Sequence, residues 1–243
     1  MAKSSGLGAL LFLNGVDLSG DIGAVNTIKG SHALQSVRGV NQVAEDRIAL
    51  RRDGEISVTS FFNASAGAAH QTFMALPRTD IQLQVLPLGG ATAGLSAVAM
   101  VAKQANYDLN AGTDGSLSAT VTGSTTGGDG LEWGTLLTTG KQTLTAAGVG
   151  SDVDDLAGSP TSTDFGLAAY LQVFALTGTS ATVTLQHGAT TGGGYGAIGA
   201  GLAFATATGP TSERIVTAVA TQNIKRYIRV SVAGTFSSFI FSV

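Results

Sequence analysis

Between Asp53 and Leu86 the hydrophobic period changes from two residues to helical spacing and back again, which leaves few choices for the local fold. Ile56 and Val58 alternate with Ser57 and Thr59 and run into Phe61 and Phe62, the two-residue period of a half-buried strand. Asn63 or Ser65 can cap a first helical turn. Ala66, Ala69, Phe73 and Leu76 then share one helical face, and Pro77 cannot extend the ladder. The spacing predicts one short helix over about residues 64–76. Beyond it Ile81, Leu83 and Val85 alternate with Gln82 and Gln84, so the chain returns as a strand with one apolar and one polar face. The local product is a sheet with a helix laid on it.

Alternation resumes at Leu117, Ala119 and Val121, and Leu131, Trp133 and Leu136 close the patterned region. Residues 141–163 are small, polar and acidic, with Asp152, Asp154, Asp155, Gly158, Ser159 and Pro160, and read as a linker or domain-entry loop. This divides the chain into a first domain over residues 1–140 and a second over 164–243. From Tyr170 onward the pattern is purely β: Leu171, Val173 and Ala175; Ala181, Val183 and Leu185; Ile228, Val230 and Val232; Phe239, Phe241 and Val243. Gly178, Gly188, Gly192, Gly209 and Gly234 punctuate these strands. The expected fold class is therefore mainly β: a β-sandwich or barrel with one short helix, followed by a jelly-roll or immunoglobulin-like sandwich. The final strand ties residue 243 into a sheet.

Only 12% of the 243 residues are charged, against roughly a quarter in an average globular domain. Interface cores are depleted of charge, so this composition suits a surface covered by partners. The 34 glycines point the same way, because each glycine ordered on folding loses more backbone entropy than another residue. Contacts from neighbouring copies would offset that cost. Without cysteine the chain has neither disulfides nor a thiolate metal site, and no run approaches the ~18 apolar residues of a membrane-spanning helix. Lys3 ahead of the apolar residues 7–13 has the outline of a leader peptide. Asn14, Gly15 and Asp17 stand where its cleavage site belongs, so Leu10 to Leu13 is read as an arm or strand with a turn at Asn14–Gly15.

Catalytic readings fail on spacing. Gly194, Gly196 and Gly199 have a dinucleotide-type spacing, but Leu202 and Phe204 resume a strand-like pattern where a helix N-terminus is needed, and a flexible loop is the plainer reading. Gly134 to Lys141 resembles a phosphate loop, except that five residues separate Gly134 from Gly140 and Gln142 replaces the hydroxyl residue. His32, His70 and His187 lack paired ligand spacing, and His70 is expected on a helix surface or interface. Asp152, Asp154 and Asp155 suggest weak calcium binding, without the glycine and glutamate of a calcium loop. An acidic solvated loop accounts for them better. Trp133 is expected to anchor a core, and Tyr195 and Tyr227 are the candidate stacking residues of a carbohydrate-binding alternative. No catalytic, cofactor or metal residue is assigned.

Several blocks together resemble the major tail tube proteins of long-tailed bacteriophages, especially those of actinobacteria. They are residues 13–21 (LNGVDLSGD), Arg47 with 52–55 (RDGE), Phe62-Asn63 with Ala69-His70, and 76–80 (LPRTD). Residues 103–108 (KQANYD), 114–117 (DGSL) and 130–134 (GLEWG) continue the same order. The match covers roughly the first 140 residues, and its weight lies in the order of the blocks. The last part is similar to the outward decorating domains that some of these subunits carry. The resemblance implies a virion component made in the host cytoplasm. Copies would form hexameric rings stacked into a tube, meet tape measure and tail terminator proteins, and conduct DNA without sequence-specific binding or membrane insertion. Residues 31–52 are read as a mobile loop that orders against the next ring, with Arg38, Arg47, Arg51 and Arg52 either meeting acidic groups of an adjacent subunit or staying solvated or on their own chain.

Overall fold

A computed structural model of the chain describes residues 8–41, 43–75, 82–127, 129–155, 162–164 and 166–243. It is mainly β, with antiparallel sheets and one short helix, as period-two patterning requires. Two compact units form, neither continuous in sequence. A C-terminal unit gathers Met1–Ser19, Val85–Val98 and Trp133–Val243, and an N-proximal unit gathers Gly20–Gln84 and Ala99–Glu132. Residues 8–19, 85–98 and 133–140, which the sequence reading places in the first domain, are grouped with the C-terminal strands. Composition marks loops and turns; it does not say which core buries a hairpin.

The chain enters through a tight hairpin of the C-terminal unit, β1 (Phe12–Leu13) and β2 (Val16–Asp17). Asn14 and Gly15 both have positive φ, 48° and 78°, which is the primed turn that Asn-Gly favours. Leu11, Phe12, Leu13 and Leu18 are all buried. Phe12 meets Phe174 edge-on at 4.9 Å, Gln172 Oε1 accepts the Gly15 N–H at 2.6 Å, and Lys141 pairs with Asp17 at 2.7 Å. A side chain at Gly15 would press on the Val173 carbonyl, so the turn is fitted to its seat.

The N-proximal unit is built on β3 (Ile22–Ser36) and β4 (Arg47–Phe61), which pair along their lengths. Helix α1 (Ala69–Ala75) follows, shorter than expected and capped differently. Asp21 accepts the Ala69 N–H at 2.9 Å and the Asn63 side-chain amide at 2.8 Å, while Asn63 Oδ1 takes the Ser65 N–H in a local turn. The cap is therefore remote in sequence. Ala69 and Phe73 face inward as expected; Ala66 lies before the helix and is exposed, and Leu76, Pro77 and Ile81 lie outside the described residues. Strands β5 (Gln82–Pro87) and β6 (Ser96–Ala111) run from one unit into the other, and β7 (Leu117–Thr125) pairs with both β4 and β6. Gln84, expected on a polar face, is buried against Gly123, where a Cβ would lie 2.6 Å from its Nε2. Glycine makes the room that the longer side chain fills.

After β8 (Leu131–Thr135), the acidic stretch contains short strands: β9 (Gln142–Leu144), β10 (Gly148–Val149) and β11 (Val153–Asp154). A small pair is made by β12 (Ser162–Thr163) and, later, β16 (Ile224–Lys225). The expected strands around Gly178 and Gly234 are in fact two long ones, β13 (Ala168–Gly188) and β17 (Tyr227–Ser242). On one side of β13 lie β14 (Gly196–Ala203) and β15 (Thr211–Val216), and β17 lies on the other with β9, β10 and β11 beyond it. Gly178 and Gly234 therefore bend strands without ending them. Both have positive φ and sit where a Cβ would collide with the partner backbone, beside register shifts in the pairing. One core results, with Leu171, Val173, Leu185, Val230, Phe239 and Phe241 fully buried. Residue 243 is tied in as expected, since its carbonyl accepts the Leu137 N–H and its N–H donates to Thr138 Oγ1.

Candidate functional site

Two surfaces of the N-proximal unit stand out, and both follow from strand register. Across β3, β4, β7 and β6, Val58, Val121 and Tyr107 share one face, which α1 covers. Phe73 packs toward Tyr107 with ring centres 6.1 Å apart, and Gln104 Nε2 donates to the Phe73 carbonyl at 3.2 Å. His70 joins this side: its Nδ1 lies 2.7 Å from the Tyr107 hydroxyl, and Phe62 is tilted against its ring. The opposite face alternates out of register with the core and is mostly polar, with Ala24 and Phe61 as apolar exceptions toward one end. Ser57, Thr59, Ser118, Thr120, Thr122 and Asn106 line it, linked in part by their own hydrogen bonds. Lys29, Glu55, Ser124 and Lys103 form one row, and Asp108 lies farther along, so the charges nearly cancel.

The second surface is an arm. Strand β7 pairs with β4 only from Glu55 onward, so Ser31 to Ser36 and Arg47 to Asp53 pair with each other alone. The loop reading of residues 31–52 is corrected here to a two-stranded ribbon, closed where the Val37 N–H donates to the Asp46 carbonyl at 2.9 Å. The partners Leu34↔Ala49 and Gln35↔Ile48 put Leu34 and Ile48 on opposite faces, 59% and 53% exposed. Leu50, Val40 and Val43 are exposed as well. Arg47 pairs with Glu45 at 2.7 Å, whereas Arg38, Arg51 and Arg52 make no ion pair among the described residues. The alternation of Ile48 and Leu50 with Arg47, Ala49 and Arg51 was the available strand signal.

The remaining candidates are dispersed. His32 is exposed with its Nδ1 3.4 Å from the Leu50 carbonyl, and His187 is buried in the C-terminal unit, receiving the Lys225 N–H. Burial, with Lys225 nearby, holds the His187 imidazole below its ordinary pKa. Asp152 accepts the Gly192 N–H at 2.6 Å, Asp154 is bound bidentately by Arg226, and burial pushes the Asp155 carboxyl up. Among the described residues no three such groups are placed to hold a metal ion. Tyr195 lies against Gly188 and under the Arg229 guanidinium at 4.0 Å, and burial followed by the Asp152 carboxylate pushes its hydroxyl up to about 12. Arg226 covers Tyr227 at 5.3 Å. Both rings are already engaged. Gly196 and Gly199 fall inside β14, a strand where a flexible loop was expected. Trp133, expected as a core anchor, is 64% exposed.

No family model matches this chain, and no curated protein matches its sequence. Similar solved structures include a chain in the virion of a native gene transfer agent particle, with 12% identity and a TM-score of 0.44 over 54% of this chain and 98% of that one. A chain in the C6-symmetric tail of an empty gene transfer agent particle gives 13% identity and 0.39 over 55% and 98%. The SPP1 Dit (gp 19.1) protein, described as a hub adsorption apparatus component in phages infecting Gram-positive hosts, gives 10% identity and 0.32 over 96% and 98%.

Proposed function

We propose that this chain is a structural subunit of the tail tube of a long-tailed bacteriophage. Copies join into rings, hexameric as the sequence resemblance implies, and the rings stack around a channel that conducts viral DNA. The observation that carries this reading is the run of strands β3, β4, β7 and β6 in the N-proximal unit, covered by a helix on one face and left mostly polar, with its charges near balance, on the other. A wall rich in lysine and arginine would hold phosphates tightly and with steep salt dependence. Here Lys29 and Lys103 are answered by Glu55 and Asp108 among hydroxyl and amide groups, so a duplex slides past without being gripped.

Joining sheets around a ring removes exposed strand edges, and β3 is such an edge. Head-to-tail stacking does not close on itself and yields a filament, whose length and ends are left to tape measure and terminator proteins. In this reading the arm reaches the next ring. The work is mechanical, and no catalytic, cofactor or metal residue takes part. The covered rings of Tyr195 and Tyr227 give the carbohydrate-binding alternative no open stacking platform.

Negative-stain electron microscopy of the purified chain tests the proposal. Rings or hollow tubes are expected; a compact monomer that stays solitary at high concentration ends it.

A further inference from the structure

We infer that His187 is an acid-operated latch: its neutral ring holds the small β12–β16 sheet against the core of the C-terminal unit, and protonation of the ring releases that sheet. The latch is a conformational response of this unit alone, and it holds whether or not the chain builds a tube.

It follows from what each atom can do. The Lys225 N–H lies 3.2 Å from His187 Nδ1, and a backbone N–H can only donate, so Nδ1 carries a lone pair and the ring proton sits on Nε2. An imidazolium bears a proton on both nitrogens. Two donors would then face each other across the same contact. Where His70 meets the Tyr107 hydroxyl at 2.7 Å, the hydroxyl can turn from donor to acceptor; at His187 the partner has no such freedom. His187 is 7% exposed, so an orphaned Lys225 N–H has little access to water and its loss of a partner is costly.

What hangs on this contact is a separable piece of structure. Strands β12 and β16 pair through Ser162↔Lys225 and Thr163↔Ile224 as a sheet of their own, with no ladder to the larger sheet of this unit among the described residues. Two strands by themselves are marginal in water. The Asn223 side-chain amide donates to Asp164 at 2.8 Å and the Gly166 N–H donates to the Gln222 carbonyl at 3.1 Å, so the segments around the two strands are tied to each other. Ile224, 2% exposed, is the side chain that the small sheet puts into the core. Loss of the Lys225–His187 bond frees both segments together and uncovers Ile224.

The charges around the ring oppose its protonation. From β16 the Lys225 ammonium acts in the same sense as burial, which is the larger cause. From β17, Arg226 is held bidentately by Asp154, and Arg229 is bound to Gln186, which alternates to the other face of β13. Strand β14 carries no charged residue, and Asp164 beyond β12 is engaged by Asn223. A folded pKa below the unfolded one leaves full stability above about 6.5 and withdraws it as pH falls from there. Asp155, which follows β11 and is pushed up by burial, is the rival titrating group.

Amide exchange of the full chain, measured from about pH 7.5 to 5 and corrected for the intrinsic rate at each pH, tests the latch. Protection of the Lys225 and Gly166 N–H groups is expected to fall about tenfold per pH unit below about 6.5, the response of one proton. The Phe204 N–H, which donates to the Val183 carbonyl, should keep its protection. His187→Asn places a carbonyl oxygen where Nδ1 stood and does not titrate, so Lys225 should stay protected at every pH. His187→Phe removes the acceptor and should leave Lys225 unprotected even at neutral pH, whereas Asp155→Asn should preserve the parent response. The nitrogen-15 shifts of the His187 ring should report the Nε2–H tautomer at neutral pH. Lys225 protection that is flat down to about pH 5, a response that survives in His187→Asn, or one that disappears in Asp155→Asn overturns the latch.

Discussion

The two units contain comparable long strand pairs and treat them in opposite ways. In the C-terminal unit β13 and β17 are flanked on their outer sides by β14, β15 and the short strands β9, β10 and β11, and their inward side chains close one core. In the N-proximal unit β3 and β4 pair over fewer residues, and between Arg47 and Asp53 no described strand other than β3 pairs with β4; Gly130 lies against the Arg52 stem, while Leu34, Ile48 and Leu50 face solvent. Ladder hydrogen bonds alone therefore do not distinguish a finished element from an unfinished one. A two-stranded ribbon is marginal in water, and what it lacks is a third strand or an apolar surface. One unit finds these within its own chain, and the proposal is that the other finds them in copies of itself.

The harshest way to break that contrast is Gly234→Val. The new side chain would meet the Ser180 carbonyl in a backbone of φ 141°, and overpacking together with the positive-φ penalty should lower the unfolding free energy by about 4 kcal/mol in chemical denaturation. A loss under about 1 kcal/mol would mean that the strand crossing is not tightly built. Next in size is the double variant Leu34→Ser, Ile48→Ser. Both sites are exposed, so the unfolding free energy should stay within about 0.5 kcal/mol. Burying two aliphatic side chains at an interface is worth about 1.5–3 kcal/mol each, so the concentration needed for assembly should rise by roughly 100-fold or more. Sedimentation across a dilution series reads this directly. Unchanged assembly would show that the arm is solvent-facing by design.

How far each unit was legible in the sequence depends on the range of the interactions that define it. Ile56, Val58, Ala119 and Val121 declare their strands through neighbours two residues away, and Asn14–Gly15 declares its turn on its own. The helix cap was hidden because Asp21 reaches Ala69 across 48 positions. Gly178 and Gly234 were read as strand ends because a glycine that ends a strand and one that lets two strands cross look alike until the partner is known. The arm was missed where Arg38, Arg47, Arg51 and Arg52 among polar residues suggested a loop, although Ile48 and Leu50 kept a two-residue period. The row joining Lys29, Glu55, Ser124 and Lys103 needs register across four strands, which periodicity does not supply.

Asp21→Ala tests the remote cap and should cost about 1 kcal/mol, with faster exchange at the amides of α1 and no change in the C-terminal unit. A uniform loss across both units would place Asp21 in the general stability of the chain. The smallest effect sharpens the comparison from the finished side. Partial burial works to raise the Asp17 carboxyl, but the Lys141 ammonium and the Ser19 hydroxyl and N–H outweigh it and hold it below the ordinary aspartate range. A folded pKa below the unfolded one contributes stability that is present above the unfolded value, about 3.9, and is lost as pH falls through the folded value. Because the pair is partly exposed, Asp17→Asn should cost only a few tenths of a kcal/mol at neutral pH, and the difference from the parent chain should vanish in acid. Hydrogen exchange at the Leu18 N–H, which donates to the Leu11 carbonyl, reports on the hairpin itself. If that amide loses protection in the variant while Leu185 in β13 keeps it, the hairpin is a separable closure of the core; if both fail together, hairpin and core unfold as one unit.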